Sequence, residues 1–542
     1  MRSVRLLALV LTAALGSAAR ADDDPACAPG STFVVDGFRS PNDDLARVGE
    51  LVGAVAPEPR FIRRGGLRLE RTCEGGPALP WSLGRMAAPA EGEPFLGLVA
   101  ARLDTVANSH YASGNNDGLL WAGRGVSALA SIGVAGRYGP LSFALAPELA
   151  ISQNRSFSIP ENGASGDLRF MSPWYGAAID LPQRFGADGT GSWAPGQSYL
   201  RLDHWNVGLG ISTENLWFGP GIRNAISMSS AGAGFPHAFL GTSRPADIWI
   251  GTVEAKVLWG RLDRSDYLPN PTHPLLTALV VDYTPRWLPR LSVGLSRVQL
   301  QVWEDLRFQD WFPFLQSFEK KNLKSLYDDP TGDNPNDNQL ASLFGRWVFP
   351  ASGLEIFFEW AREDHENSWE MFIREPDHTQ AYTLGLQKVF RRGDRWVRLH
   401  GEYTDLQEFR PASSVRGNPT YYLHGRDLSY TYQGQLLGAW IGPGADSQIL
   451  AVDVFNRKGR IGGYLERVRR NEAVYWEVID PQQLDISHDT EVTAAVRQVF
   501  FAGPVDVSWE AGASYRWNRD FFRDEPNFRV SVGVGVPLGR GR

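Results

Sequence analysis

VDVSWEAGASYRWNRDFFRDEPNFRVSVGVGVPL, residues 505–538, alternates apolar and polar side chains over two runs separated by a charged turn. In the second run Phe528, Val530, Val532, Val534, Val536 and Leu538 share one face, and Arg529, Ser531, Gly533 and Gly535 share the other. A period of two is the strand period, because successive side chains point to opposite sides of the pleat. In the first run Val505, Val507, Trp509, Ala511, Ala513, Tyr515 and Trp517 oppose Asp506, Ser508, Glu510, Ser514 and Arg516. Charged side chains at every second position cannot face hydrocarbon. Such strands span a membrane only with the apolar face on lipid and the charged face lining a lumen.

The same period extends back to Pro94. Tight turns are expected at Tyr138-Gly139-Pro140, Leu288-Pro289-Arg290, Pro350 to Gly353, Arg391 to Asp394, Arg457 to Arg460 and Ala502-Gly503-Pro504. Long polar loops fall between them, near 154–196, 217–236, 305–339, 406–446 and 471–487. Short connections at one end and long ones at the other are the asymmetry of outer-membrane barrels, with the long loops outside the cell. The alternation predicts an all-β transmembrane barrel of about 18 antiparallel strands over residues 94–542. Composition agrees: 57 Gly, 19 Trp, 28 Phe and 16 Tyr accompany a mean hydropathy of only -0.26. No segment after the N-terminus approaches the roughly 20 apolar residues of a spanning helix.

The N-terminus reads as an export signal over residues 1–21. Arg2 and Arg5 precede an apolar run from Leu6 to Leu15, and Ala19-Arg20-Ala21 offers a cleavage site. Removing Arg2, Arg5 and Arg20 from 54 bases and 61 acids leaves 51 against 61, a net charge of −10, which argues against nucleic acid as a partner. Residues 22–93 do not alternate. Ser40 and Pro41 start a helix with Leu45, Val48, Leu51, Val52 and Val55 on one face, in a small periplasmic region expected to plug or underlie the barrel. Cys27 and Cys73 are the two cysteines, and in an exported chain they read as a disulfide, with a pair of free buried thiols as the alternative.

Two further blocks stand out. One is Glu214-Asn215-Leu216-Trp217-Phe218-Gly219-Pro220-Gly221, followed by Arg223-Asn224 and Gly234-Phe235-Pro236-His237. The other is Tyr422-Leu423-His424-Gly425, then Tyr432-Gln433-Gly434-Gln435-Leu436-Leu437-Gly438 and Gly442-Pro443-Gly444. Together they resemble the signature of the Wzi capsule-assembly family of outer-membrane proteins, and the resemblance runs from Pro94 to the C-terminus. It implies a non-enzymatic surface lectin that holds capsular or other extracellular polysaccharide. The implied partners are that polymer, outer-membrane lipid and the export machinery, for a monomer without cofactor or metal. An open-lumen porin or glycan transporter is the alternative.

Flat aromatic rings beside planar donors suit sugars, whose rings carry an apolar C–H face as well as hydroxyls. The glycan-binding candidates on that ground are Trp174, Tyr175, Trp217, Trp311, Tyr421 and Tyr422, with Arg223, Asn224, Arg426 and His237. Arginine suits uronate carboxylates through its planar fork. Packing within loops or at the membrane interface is the competing reading for any one ring. His237 lies near Ser227, Ser229 and Ser230, yet no G-x-S-x-G elbow accompanies it, so no catalytic residue is assigned. The run Asp328 to Asn338 lacks the ligand spacing of a calcium loop. Inward-facing Glu254, Lys256, Glu355, Glu359, Arg398, His400, Glu402, Glu491, Arg497, Glu510 and Arg516 carry both signs, which predicts mutual ion pairing rather than like-charge rings.

Overall fold

The computed structural model describes residues 33–36, 41–64, 66–69 and 76–81. From Pro94 it describes all but 270, 304–305, 307, 313–336, 364–368, 375–376, 378, 408–420, 424–427, 483–485, 504 and 537–542. The export signal, Cys27, Cys73, the acidic run from Asp328 up to residue 336 and Arg426 lie outside the described residues.

Strand segments from Phe95–Asn108 to Arg523–Val536 pair antiparallel all the way round, and the last closes on the first. Three neighbouring pairs of segments are halves of one interrupted strand: Leu141–Leu145 with Glu148–Ser152, Thr190–Ala194 with Tyr199–His204, and His237–Thr242 with Ala246–Ile248. Among the described residues the barrel therefore has 18 staves. Closure pairs every stave on both edges, which a sheet in hydrocarbon requires. Alternation sets the faces: Phe528, Val530 and Val532 are exposed outward, while Asn527, Gly533 and Gly535 are buried inward.

The tight turns expected from sequence all fall between adjacent staves. Two more were not anticipated. Trp205 and Asn206, at φ 46° and 63°, form a two-residue hairpin turn that carries left-handed backbone without glycine. Trp249-Ile250 connects Ala246–Ile248 to Gly251–Arg261. Tyr138, Trp205, Trp249 and Trp287 are all exposed at this short-turn end, as in an interfacial aromatic girdle.

Helix α1, Pro41–Leu51, sits inside this end of the barrel, deeper than a base packed against the mouth. Leu45, Val48, Leu51 and Val55 pack on inward-facing Val348, Val389, Trp396 and Phe455. Its polar side is tied to the wall by ions. Arg47 reaches Glu355 at 3.1 Å, and Glu50 binds Arg346 at 2.6 Å and Arg60 at 2.5 Å. Asp44 pairs with Arg398 and Arg460, and Arg398 also pairs with Asp453 at 2.6 Å. Buried charges persist only with such partners, so Asp44, Arg47 and Glu50 fix the plug against the staves that carry Arg398, Arg460, Glu355 and Arg346.

Candidate functional site

The long connection between staves Val207–Ser212 and His237–Thr242 does not lie over the mouth as an open loop. It folds into the lumen and joins the plug. Its segment Leu216–Phe218 pairs antiparallel with Ile62–Arg64, Gly219 N–H donates to the Phe61 carbonyl at 2.9 Å, and Arg47 donates to the Pro220 carbonyl at 2.8 Å. Glycine is needed where the loop doubles back. A Cβ on Gly221 would lie 1.8 Å from the Asn224 carbonyl oxygen.

Barrel carboxylates hold this loop by its backbone. Glu402 accepts from the N–H groups of Ile222 at 2.8 Å, Arg223 at 3.0 Å and Asn224 at 2.8 Å. Glu359 accepts from Ile226 N at 3.0 Å, Ser227 N at 3.1 Å and the Ser342 hydroxyl at 3.0 Å. The expectation of pairing with basic side chains is corrected at Glu359, whereas Glu402 does lie 3.6 Å from the expected His400. An irregular buried loop must find acceptors for its N–H groups, and both carboxylates supply them. Mutual pairing holds elsewhere on the wall, as for Glu355, Arg398 and Asp453.

The second sequence block meets the first in the lumen. Tyr422 N–H donates to Glu363 at 2.7 Å, and its hydroxyl donates to the Ile226 carbonyl at 2.9 Å while accepting from Ala439 N–H at 2.9 Å. Tyr430 donates to the Ser227 carbonyl, and its ring stacks on Tyr422 with centroids 5.7 Å apart. Gly438 is the close approach: a Cβ there would sit 2.4 Å from the Tyr422 ring.

The candidate residues accordingly separate into two groups. Trp217, Asn224, His237, Tyr421 and Tyr422 are buried within the loop packing and present no open ring face to a polymer outside. Arg223, also drawn into the lumen, binds Glu466 through two nitrogens at 2.7 and 2.5 Å and stacks on Trp440. The placement of these residues on an exposed loop is therefore corrected. The apolar character of Trp217, Ile226, Tyr422 and Tyr430 drives the loops inward, where the plug and wall remove them from water. His237 Nδ1 contacts the Phe235 carbonyl at 2.9 Å, so that nitrogen carries the proton, whereas Ser227 is engaged by Glu359 and Ser342 and Ser229 by the Gly438 carbonyl. No Ser–His hydrogen bond forms among these described residues.

Trp174, Tyr175 and Trp311 form the second group, half-buried at the long-loop end. Trp311 stacks edge-on with Trp303, and its carbonyl accepts from Trp259. Trp174 meets Phe521 at 5.6 Å and Tyr175 donates to Asn471 at 3.2 Å, which brings three loops together. Sequence reasoning did not single out Glu363, Tyr475, Trp476, His488 or Phe521 as parts of either assembly.

No curated protein sequence matches the chain. Among solved structures, Wzi of Escherichia coli, described as an outer-membrane protein involved in group 1 capsule assembly and a carbohydrate-binding β-barrel, superposes with a TM-score of 0.58. It is 13% identical, over 94% of this chain and 100% of that one. The outer-membrane protein OprD of Pseudomonas aeruginosa is 9% identical over 82% and 93% of the two chains, with a TM-score of 0.40. The family description "capsule assembly protein Wzi" matches residues 107–527, a span that takes in both lumenal blocks and the glutamates that hold them. On that match over most of its length, the chain belongs to the Wzi capsule assembly family.

Proposed function

We propose that the protein is a non-enzymatic outer-membrane lectin that attaches capsular or related extracellular polysaccharide to the cell surface and assists capsule assembly. The observation that carries this reading is the family match across residues 107–527. The carbohydrate binding described for the E. coli barrel, whose fold this chain shares, is in keeping with it.

The barrel acts as a rigid anchor, and the plug with the two inserted loops is the scaffold on which the outer loops rest. A repeating polymer then gains attachment from many weak contacts, within one barrel and across many, rather than from one tight site. Lumen filling by residues 216–231, 421–423 and 428–441 supports a binder over an open conduit. Outer-membrane lipid is the solvent of the exposed apolar faces, and the polysaccharide export machinery is the partner that delivers the polymer to a monomeric barrel.

The test is the ratio of cell-attached to released polysaccharide in a strain lacking the gene, against its parent. Unchanged total polymer with much more of it shed is the expected result. Unchanged attached and shed fractions would overturn the attachment role.

A further inference from the structure

Away from the buried loops, three outer segments converge on one aromatic cluster. Trp174 packs edge-on against Phe521 at 5.6 Å, Tyr475 lies 6.2 Å from Phe521 and 3.9 Å from His488, and Trp476 packs edge-on against Tyr475 and His488. Val474, Ile479 and Phe521 form its buried floor, while Phe522 stands 55% exposed beside it. The polypeptide is unusual on both sides. Tyr475–Ile479 is a turn of π-helix, and Asn518, Asp520 and Phe521 all have positive φ. Such conformations are kept where the surrounding structure has a use for them.

Two polar atoms inside the cluster have no hydrogen-bond partner. They are Glu472 Oε2, on a side chain that is buried and otherwise engaged by His488 at 2.7 Å, and Trp174 Nε1. An acceptor and a donor left unpaired beside the half-buried rings of Trp174, Tyr475 and Trp476 and the exposed Phe522 are complementary to a hydroxyl-bearing ligand with an apolar face.

We infer that this cluster is a saccharide-binding subsite selective for neutral sugar units. The inference deepens the polysaccharide-binding reading and rests on it. The charge decides the sugar class. Segments 471–482 and 518–524 carry Glu472, Glu477, Asp480, Asp520 and Asp524 against Arg519 and Arg523. The adjoining staves add Arg469 beside Glu472 at 3.5 Å and Arg516 beside Asp520 at 3.0 Å, so the carboxylates still outnumber the guanidiniums. All four guanidiniums are already engaged, Arg519 also with Glu525 at 3.0 Å and Asp520 at 2.9 Å, and Arg523 with the Ser158 hydroxyl at 2.9 Å. A uronate would meet net negative charge here, whereas a neutral pyranose finds ring faces for its C–H side and the Glu472 and Trp174 atoms for its hydroxyls.

The test uses the full-length protein in detergent, run by affinity electrophoresis through gels containing neutral pullulan, galactomannan or xyloglucan, or anionic polygalacturonate. At least one neutral polymer should retard the folded barrel more than polygalacturonate does. Trp476→Ala, Phe522→Ala and Glu472→Gln should each raise its apparent Kd about fivefold or more, the loss of one ring contact or hydrogen bond. Heat-modifiable mobility checks that each variant is folded, and Phe308→Ala, an exposed ring on another loop, should bind as the parent does. Parent-level binding by all three cluster variants would overturn the subsite and leave the polysaccharide reading standing. Stronger retardation by polygalacturonate would overturn the neutral class. No retardation by any polymer would count against the polysaccharide reading itself, and the subsite would fall with it.

Discussion

The Tyr422 hydroxyl donates to the Ile226 carbonyl at 2.9 Å across 196 residues of sequence, so the two family blocks are halves of one lumenal assembly. The same oxygen accepts from Ala439 N–H, and the residue is fully buried. Tyr422→Phe keeps the ring and its stack on Tyr430 but leaves a carbonyl and an N–H unpaired. Each buried orphan costs about 1–3 kcal/mol. The expected outcome is a folded barrel whose inserted loops loosen, read as faster protease cleavage within 428–445 and a lower melting temperature. Parent-level protection would show that the hydroxyl carries none of the assembly.

Acid should release the plug. Burial raises the Asp44 carboxyl, but the Arg398 and Arg460 guanidiniums more than offset this and hold it below the ordinary value of 3.8. A depressed carboxylate stabilises the folded state above its unfolded pKa, and that contribution is lost as pH falls through the folded value. Hydrogen-exchange protection in Pro41–Leu51, taken relative to the intrinsic rate at each pH, should therefore be steady from pH 7 to about 5 and fall below the unfolded value near 4. Asp44→Asn should exchange faster at neutral pH and lose the part of the acid response that belongs to this carboxyl. An unchanged acid profile in the variant would place the switch elsewhere.

Arg223 gives a case where the two readings of one residue diverge. As a surface donor for uronates its removal would weaken binding alone. In the lumen, Arg223→Ala leaves the Glu466 carboxylate, 3% exposed, without its guanidinium, a loss on the order of 3–5 kcal/mol. Melting temperature and polysaccharide retention should then fall together. Retention lost at unchanged stability would restore the direct role.

The staves were readable because lipid imposes one rule on every second residue. Phe528, Val530 and Val532 had to be apolar, and their partners Arg529 and Ser531 could be anything polar. The helix at Pro41–Leu51 was readable for a similar reason, since its single buried face repeats at helical spacing. The lumen carries no such rule. Glu402 on a stave looks the same in sequence whether it meets a guanidinium or three backbone N–H groups some 180 residues away. Trp217 and Tyr422 looked like sugar platforms because an aromatic in a Gly-rich loop serves either purpose, and only the inward fold of that loop decides which. The Trp205-Asn206 turn was missed because its left-handed backbone uses no glycine. The Trp174 cluster draws on segments some 300 residues apart, so no local pattern could assemble it.

The carboxylate that grips the first loop also decides whether the lumen stays filled. Glu402→Ala removes the acceptor for Ile222, Arg223 and Asn224 N–H together, while the stave Arg395–Asp405 keeps its backbone pairing on both edges. The barrel should thus survive and the loop should not stay seated. Leu216–Phe218 still pairs with Ile62–Arg64, so the displaced loop remains tethered to the plug and fluctuates rather than leaving. In planar bilayers the parent should pass little steady current, whereas Glu402→Ala should produce flickering openings. Glu402→Gln, which retains an acceptor oxygen without the charge, should fall between them. If the parent already carries a large, steady ohmic current, the lumen is a conduit despite the loops within it, and the transporter reading would displace the lectin.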